Sequence, residues 1–348
     1  MKVDFIIVGQ GIAGTCFAFE LLQKNKTFII IDKRDDSSPS QVALGIYNPL
    51  ILKWFTKPWH IDNQISFFYK FYNSFQSFFC KNIMFDTGIY KFLKTPYDQN
   101  NWLTKSLSFK REMYMSSEIL KLENKSLIHN EFYGFVNSAG RIDVPLFLNT
   151  FRNFCITNKC IVNQLFNYDK LVIKKDHVKY NDVTASNIIF CEGPSVINNP
   201  FFNWIKLKPT KGELLNIECK HLNLDKIIHA SLLFVPLSGN IYSIGATYDW
   251  SQIDTVVTSN AREKISSIFE KYVNLPYTIK TQKAGIRPST FDRRAFVGSH
   301  PNYSHVYILN GLGTRGLLLA PYLSNNLVNS VFFNQPILKE VSINRVLK

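Results

Sequence analysis

The first fifty residues consist of two continuous apolar runs with one helical segment between them. Residues 3–8 (VDFIIV) and 27–32 (TFIIID) are rich in β-branched side chains, which is typical of strands buried on both faces of a parallel sheet. Residues 15–24 have helical spacing and contain good helix formers. This order predicts a strand, a helix and a second parallel strand at the start of an α/β fold.

A glycine-rich turn joins the first predicted strand to the helix. Residues 9–14 have the pattern G-x-G-x-x-G. In such a turn Gly9 allows the tight bend, Gly11 allows a pyrophosphate to approach the backbone, and Gly14 allows close packing of the helix. Asp32, which ends the second strand, can accept hydrogen bonds from a ribose diol. The pattern predicts a dinucleotide site, and the acid favours FAD or NAD over NADP.

A second unit of strand, glycine turn and helix lies near the C-terminus. Residues 306–310 form a strand-like apolar run that enters residues 311–316 (GLGTRG), and an apolar helix is predicted from there to about Phe333. Just before this unit, residues 285–298 (GIRPSTFDRRAFVG) contain closely spaced glycine, arginine, proline and aspartate.

Together the two ends of the chain resemble the FAD-dependent amine oxidoreductases of the D-amino acid oxidase and glycine oxidase type. That family pairs an N-terminal G-x-G-x-x-G turn with a C-terminal G-x-R-P-x-x-x-D-x-x-P-x-x-G segment, in which Ala295 replaces the usual proline here. Shorter similarities follow in the family's order at residues 140–145, 188–193, 209–213 and 244–247. The resemblance covers nearly the whole chain and implies FAD as the cofactor.

One branch of this family is most similar at residues 311–321 (GLGTRGLLLAP). That branch is the flavin domain of the bifunctional enzyme of tRNA 5-methylaminomethyl-uridine biosynthesis. Glycine oxidase-like members place an arginine where Thr314 stands, and Arg315 follows it here. We expect the resemblance to concern the flavin half of the bifunctional enzyme. It implies as substrate either a small amine or amino acid, or a tRNA.

The glycine turn and the resemblance together assign the cofactor site. In the family, the segment 43–46 lies against the flavin ring and the backbone of residues 312–316 faces its pyrimidine edge. No metal ligand is expected. The expected cofactor-binding residues are Gly9, Gly11, Ile12, Ala13, Gly14, Asp32, Lys33, Ala43, Leu44, Gly45, Ile46, Gly193, Gly311, Leu312, Gly313, Thr314, Arg315, Gly316 and Leu317.

Flavin-dependent amine oxidation demands little of protein side chains. The hydride leaves the amine's α-carbon for flavin N5, so the cofactor performs the difficult step and we expect no catalytic side chain. The family match assigns Arg287 to a substrate carboxylate, which a guanidinium binds bidentately. The alternative is a structural ion pair with Asp292 or another acid. Tyr248 is expected as a pocket wall or a packed ring. Arg315 would face the flavin, the substrate or a phosphate, or lie at the surface.

One departure from glycine oxidases bears on activity, because Leu233 stands where those enzymes have a tyrosine. The function predicted first is oxidation of the C–N bond of a glycine-like or N-alkyl-glycine amine. One alternative is a flavoenzyme that removes the carboxymethyl group from a wobble uridine of tRNA. Another is a catalytically silent flavin-binding module. The electron acceptor, oxygen or another compound, stays open.

The resemblance also implies two discontinuous domains. A Rossmann-like FAD-binding domain of the α/β class would take residues 1–55, 140–205 and 280–348. A substrate domain of the α+β class, built on an inserted antiparallel sheet, would take residues 56–139 and 206–279.

Two local patterns support the substrate domain. Ser238-Gly239-Asn240 lies between strand-like runs and predicts a hairpin. Aromatic residues recur at helical spacing in residues 62–95, which predicts a helix packed on the core. Base stacking and contact with a membrane edge are the alternatives for that stripe. Its members are Phe68, Tyr72, Phe75 and Phe79.

Composition narrows the class of protein. The chain is 46% hydrophobic and 19% charged, which is typical of a folded globular protein. No apolar run approaches the ~18–20 residues of a membrane span and no signal peptide pattern is present, so we expect a cytoplasmic protein. The six cysteines have no zinc-like spacing and are expected to be reduced thiols. The net charge of +14 has two interpretations. Either the lysines are scattered along the chain without a binding role, or the basic surface attracts an anionic partner such as nucleic acid.

Overall fold

The computed structural model describes residues 1–108 and 113–347, which form 18 strands and seven α-helices. The helices are α1 Ile12–Gln23, α2 Pro39–Val42, α3 Ile61–Phe79, α4 Pro96–Ser106, α5 Val144–Thr157, α6 Ser259–Glu270 and α7 Gly316–Phe333. The strands are β1 Lys2–Val8, β2 Phe28–Ile31, β3 Ile46–Tyr47, β4 Met84–Phe85, β5 Ile89–Phe92, β6 Tyr133–Val136, β7 Gly140–Ile142, β8 Ile161–Val162, β9 Leu171–Ile173, β10 Val178–Tyr180, β11 Val183–Phe190, β12 Thr210–Glu218, β13 Ile227–His229, β14 Leu233–Pro236, β15 Ile241–Gly245, β16 Thr278–Arg287, β17 Phe296–His300 and β18 Tyr303–Asn310.

The first sheet has the strand order β17-β18-β11-β1-β2-β8. Its central strands are parallel, and Ile7 of β1 faces Ile189 on one neighbour and Ile30 on the other. All three side chains are fully buried, as expected where helices cover both faces of a parallel sheet. The predicted unit of two strands and a helix at the N-terminus and the C-terminal unit of β18 and α7 are therefore confirmed.

The second sheet has the order β16-β12-β15-β14-β13-β5-β6 and is antiparallel except where β13 meets β5. The hairpin predicted at residues 238–240 joins β14 to β15. One face packs against α6, where Phe234 meets Phe269 with ring centroids 5.5 Å apart. β16 pairs with β12 throughout residues 278–287 and so crosses the boundary expected at residue 280. The division into domains stays a prediction.

The aromatic stripe lies on α3 and packs inside the protein. Phe68, Tyr72 and Phe75 are fully buried, and Phe75 contacts Phe147 of α5 at 4.7 Å between centroids. Phe19 of α1 meets Phe75 edge to face. Burial of such rings contributes about 1.5–3 kcal/mol each. The core interpretation of the stripe is confirmed.

Candidate active site

A cavity of about 780 Å³ begins at the carboxyl ends of β1, β2 and β11 and reaches the second sheet. In parallel sheets this edge is where ligands bind. The walls include residues 8–13, residues 42–46, residues 192–195 and the start of α7. Arg287 and Tyr248 line the same cavity. Both predicted ends of the chain therefore meet in one site.

Glycines shape the nucleotide end of the cavity. Gly9 has φ +96°, a backbone conformation that favours glycine. A β-carbon on Gly14 would collide with the carbonyl oxygen of Gly9, so α1 starts directly against the end of β1. Gly11 caps α1 without a side-chain hydrogen bond. The helix N-terminus thus presents backbone N–H groups and a partial positive charge to the cavity, which fits the pyrophosphate of a dinucleotide.

Asp32 is held by a partner that the sequence did not reveal. Its Oδ1 accepts a hydrogen bond from Arg152 Nη1 at 2.8 Å, and its Oδ2 accepts one from the Gln10 amide at 2.9 Å. Arg152 also donates to Asn163 Oδ1 at 2.9 Å. An ionised carboxylate has about four acceptor positions, so Asp32 keeps capacity for a ribose diol. Arg152 comes from α5, and no linear pattern connects it with Asp32.

The middle of the cavity is formed by two fixed backbone segments. Residues 43–46 line it, and the carbonyl of Gly45 accepts the Ile142 amide at 2.8 Å. On the facing wall, Asn310 Nδ2 donates to the carbonyl of Gly193 at 2.9 Å. Gly14 and Gly311 are not among the lining residues. They allow the close packing of the segments that form the wall. Leu233 of β14 adds an apolar side chain to the cavity lining.

Glu192 is a buried acid that lines the cavity next to Gly193. Sequence reasoning missed this residue. Tyr168 Oη donates to its Oε1 at 2.5 Å and Asn199 Nδ2 donates to its Oε2 at 2.7 Å. Burial raises the pKa of Glu192 to about 7, although both hydrogen bonds lower it. In the sequence, Glu192 directly precedes Gly193, an expected cofactor-binding residue, and this position could have indicated it.

Arg287 lines the cavity at the end of β16, where the cavity reaches the second sheet. Its guanidinium donates to the carbonyl oxygens of Lys211 at 3.3 Å and Thr247 at 3.2 Å, and burial lowers its pKa. The expected alternative, an ion pair with Asp292, does not occur, because that carboxylate accepts from Arg345 Nε at 3.0 Å. Within the described ranges, no carboxylate lies at ion-pair distance from Arg287. This cation is placed to bind a ligand carboxylate.

The backbone and side-chain contacts of Lys211 position both Arg287 and Tyr248. The Lys211 side chain is 1% exposed, and its Nζ contacts Asp254 Oδ1 at 2.6 Å. The backbone of Lys211 exchanges two hydrogen bonds with Asp249, at 2.9 and 3.0 Å. The chain between Thr247 and Asp254 is therefore fixed to β12, with Tyr248 held over the arginine. Sequence reasoning did not single out Lys211.

The guanidinium of Arg315 contacts the backbone of residues 48–50. Arg315 is not among the residues that line the cavity. Its Nη2 donates to the carbonyl of Asn48 at 2.7 Å and its Nη1 to that of Leu50 at 3.5 Å. Burial lowers its pKa to about 10. The side chain therefore holds the backbone that follows residues 43–46, and a contact between Arg315 and flavin, substrate or phosphate stays a prediction.

Two structural features are absent from residues 1–108 and 113–347. No helix there is both long enough and apolar enough to cross a membrane. No cluster of three or more histidine, cysteine, aspartate or glutamate side chains there is arranged to hold a metal ion.

The glycine turn against a helix N-terminus, followed by an acid at the end of the next strand, defines a dinucleotide-binding protein. Residues 4–329 match the model of the DAO family, described as FAD dependent oxidoreductase, and the chain belongs to that family. FAD is therefore its cofactor. The cradle of glycines and the start of α1, where the Ile12 amide donates to Ser40 Oγ at 3.1 Å, fit this group.

Known relatives are similar over much of the chain. A glycine oxidase of Bacillus subtilis is 25% identical over 69% of the chain and 64% of its own length. A tRNA 5-methylaminomethyl-2-thiouridine biosynthesis bifunctional protein of Leptospira interrogans is 22% identical over 97% of the chain and 58% of its own length. The match thus spans less than two thirds of each relative.

Solved structures show the same fold. A glycine oxidase of Geobacillus kaustophilus has a TM-score of 0.81 at 18% identity, with all of both chains covered. An iminodiacetate oxidase of Chelativorans sp. has a TM-score of 0.77 at 17% identity, covering 97% of this chain and 98% of its own.

Proposed function

We propose that the protein oxidises the C–N bond of a glycine-like or N-alkyl-glycine amine with FAD as its electron acceptor. The observation that carries the proposal is the guanidinium of Arg287, which lines the cavity and is satisfied by carbonyl oxygens alone among the described residues. A cation in this setting favours a carboxylate ligand. FAD, when bound, supplies the two-electron acceptor for the α-carbon of the amine.

The protein's own residues bind and orient the substrate in this proposal. Arg287 holds the carboxylate, and the ring of Tyr248 covers one side of the guanidinium. Leu214 and Leu233 give the pocket an apolar wall. An apolar wall favours the neutral amine, because desolvation disfavours the charged form. Arg315 keeps the backbone of residues 48–50 in place. No side chain is assigned as a catalytic acid or base.

Anaerobic reduction of the protein-bound flavin tests the proposal. The holoprotein is mixed with glycine, N-methylglycine, iminodiacetate and an amine without a carboxylate, and the visible flavin band is followed. We expect bleaching by at least one of the three carboxylates and none by the fourth compound. A flavin that dithionite reduces but none of the amines reduces would favour the silent flavin-binding module. Reoxidation by oxygen or by an artificial acceptor then identifies the class of electron acceptor.

A second candidate substrate is a tRNA carrying a carboxymethylaminomethyl uridine. It is favoured by the match to the bifunctional tRNA protein along 97% of the chain and by the net charge of +14. The modified group is itself an N-alkyl glycine, so Arg287 would hold either substrate. Adding bulk tRNA to the same panel separates the two. For either substrate we propose the cytoplasm as the compartment, which agrees with six free cysteines in the described chain.

A further inference from the structure

Two exposed aromatic rings stand beside the substrate end of the cavity. Tyr248 and Trp250 stack with centroids 6.0 Å apart and planes at 24°. They remain 54% and 60% exposed. Tyr248 lines the cavity on one side and covers Arg287 on the other. The stacked pair, which we call the aromatic platform, therefore extends the binding site outward from the carboxylate anchor to the surface.

The backbone under the aromatic platform is fixed. Asp249, between the two rings, exchanges backbone hydrogen bonds with Lys211. Its Oδ1 also accepts the Ser251 amide at 2.7 Å. Three residues beyond this turn, Asp254 pairs with buried Lys211. A preorganised surface of this kind loses little conformational entropy when a flat ligand stacks on it.

A second exposed ring with a cation lies at the same end of the second sheet. The register places Thr210 opposite Arg287, so the residues before β12 and after β16 emerge together. Lys208 donates its amide to the Ser289 carbonyl at 2.7 Å. Its Nζ lies 5.7 Å from the ring centroid of Phe291, which is 67% exposed.

The charge around this rim is suited to an anion. Lys206 and Arg293 are exposed there along with Lys208. Of the neighbouring acids, Asp254 is paired with Lys211 and Asp292 with Arg345. The carboxylate of Asp249 accepts hydrogen bonds from the amide and the hydroxyl of Ser251. Aromatic rings interleaved with free cations are what single-stranded nucleic acids bind, through base stacking and phosphate contacts. An acidic protein would use the cations but would leave the flat rings without a matching surface.

We propose that the aromatic platform stacks a nucleobase of single-stranded RNA, while Phe291 and Lys208 contact a neighbouring nucleotide. This inference rests on the proposed function, because the base would present an N-alkyl-glycine substituent to Arg287. It names a single-stranded segment of tRNA as the substrate class and assigns Trp250, which lies outside the cavity lining, a role in binding.

Binding of a labelled oligouridine and of bulk tRNA tests the inference. The holoprotein is compared with W250A, K208Q and the control Y97A, which removes a ring that is 75% exposed on α4. We expect W250A to weaken binding about tenfold to a hundredfold. K208Q should reduce the salt dependence of binding, and Y97A should leave binding unchanged. Circular dichroism and flavin content confirm that each variant is folded.

Three outcomes would overturn the inference: equal affinities for W250A and Y97A, no RNA binding by the wild type, or binding of polyglutamate as tight as that of oligouridine. Reduction of the wild-type flavin by N-methylglycine is measured separately. If that reduction occurs without RNA binding, the proposed function stands and the inference fails. If RNA binding depends on Trp250 while neither an amine nor tRNA reduces the flavin, the aromatic platform binds RNA and the proposed function fails.

Discussion

The guanidinium carbon of Arg287 lies 4.4 Å from the ring centroid of Tyr248. A cation over an aromatic face is stabilised by the ring quadrupole, by up to about 2 kcal/mol where water is excluded. The two residues come from different strand ends of the second sheet, and the carbonyl of Thr247 accepts two hydrogen bonds from the same guanidinium. This contact fixes the direction in which the arginine faces the cavity.

Replacing Arg287 by lysine should lower kcat/KM for a carboxylated amine roughly 10- to 100-fold. Lysine keeps the charge but loses the bidentate fork and the planar stacking on Tyr248. Steady-state kinetics with N-methylglycine measure the effect. R262K, at an exposed position of α6, is the matched control. An R287K enzyme as active as R262K would contradict the assignment of the carboxylate anchor.

Gly212 leaves the space that the guanidinium occupies. A β-carbon at this position would collide with the guanidinium of Arg287. We expect G212A to raise KM strongly and to lower the free energy of unfolding by about 1–3 kcal/mol, as overpacking does. G239A on the β14–β15 hairpin adds a methyl group without a collision, at a backbone φ of +59° that itself disfavours alanine. It should therefore lower stability without changing KM. Unchanged KM in G212A would show that the arginine can move without loss.

Replacing Lys211 by methionine should release the segment that carries Tyr248. Lys211 Nζ also lies 3.7 Å from Oε1 of the buried Glu213. Removing the lysine leaves that acid without its buried partner, which costs about 3–5 kcal/mol, so a lower melting temperature is expected. A positioning role also predicts a rise in KM with little change in kcat, and partial rescue by K211R. D254N, whose side chain is half exposed, should show a smaller form of the same KM change. A uniform loss of kcat in K211M would instead indicate general unfolding.

The parts of the site that local patterns encode were predictable. The turn at Gly9 and Gly14 and the apolar strands beside it depend on neighbours within a few residues. The family pattern then connected this turn with Arg287, and the family match confirms FAD as the cofactor. The exact role of each site residue stays a prediction.

The missed parts depend on tertiary packing. Arg152 reaches Asp32 across 120 residues, and no spacing rule connects α5 with the end of β2. Lys211 lies in the family similarity at residues 209–213, but nothing in the sequence shows that its side chain is buried. The burial follows from strand pairing and from the contact with Asp254. The guanidinium of Arg315 donates to the carbonyls of Asn48 and Leu50. These partners lie more than 260 residues earlier in the chain, so the turn at residues 311–316 does not predict them.

Glu192 should make stability depend on pH near neutrality. Its pKa in the folded protein is about 7, raised by burial from its ordinary value of 4.5. The folded state therefore binds this proton more tightly than the unfolded chain. The resulting stability is complete below about pH 4 and is lost as the pH rises through about 7.

Urea unfolding of wild type and E192Q between about pH 5 and pH 8 measures this linkage. Relative to E192Q, the wild type should lose roughly 1–3 kcal/mol over that interval. E192D keeps a titrating group and serves as the control for the shape of the site. Parallel pH profiles for wild type and E192Q would show that Glu192 titrates at its ordinary pKa.

The pair of Arg152 and Asp32 should determine FAD affinity. Arg152 fixes the orientation of the carboxylate, because it donates from one nitrogen to Asp32 Oδ1 and from the other to Asn163 Oδ1. We expect R152M to raise the dissociation constant of FAD at least about tenfold, since loss of a partly buried charged partner leaves the acid uncompensated. Release of fluorescent FAD on dilution provides the measurement.

A double-mutant cycle with D32N distinguishes this role from general destabilisation. If Arg152 acts through Asp32, R152M should weaken FAD binding much less in the D32N background than in the wild type. R262M, which removes an exposed arginine, should release FAD at the wild-type rate. Additive effects of R152M and D32N would mean that the arginine contributes to the FAD site independently of the acid, for instance by shaping the wall between α5 and β2.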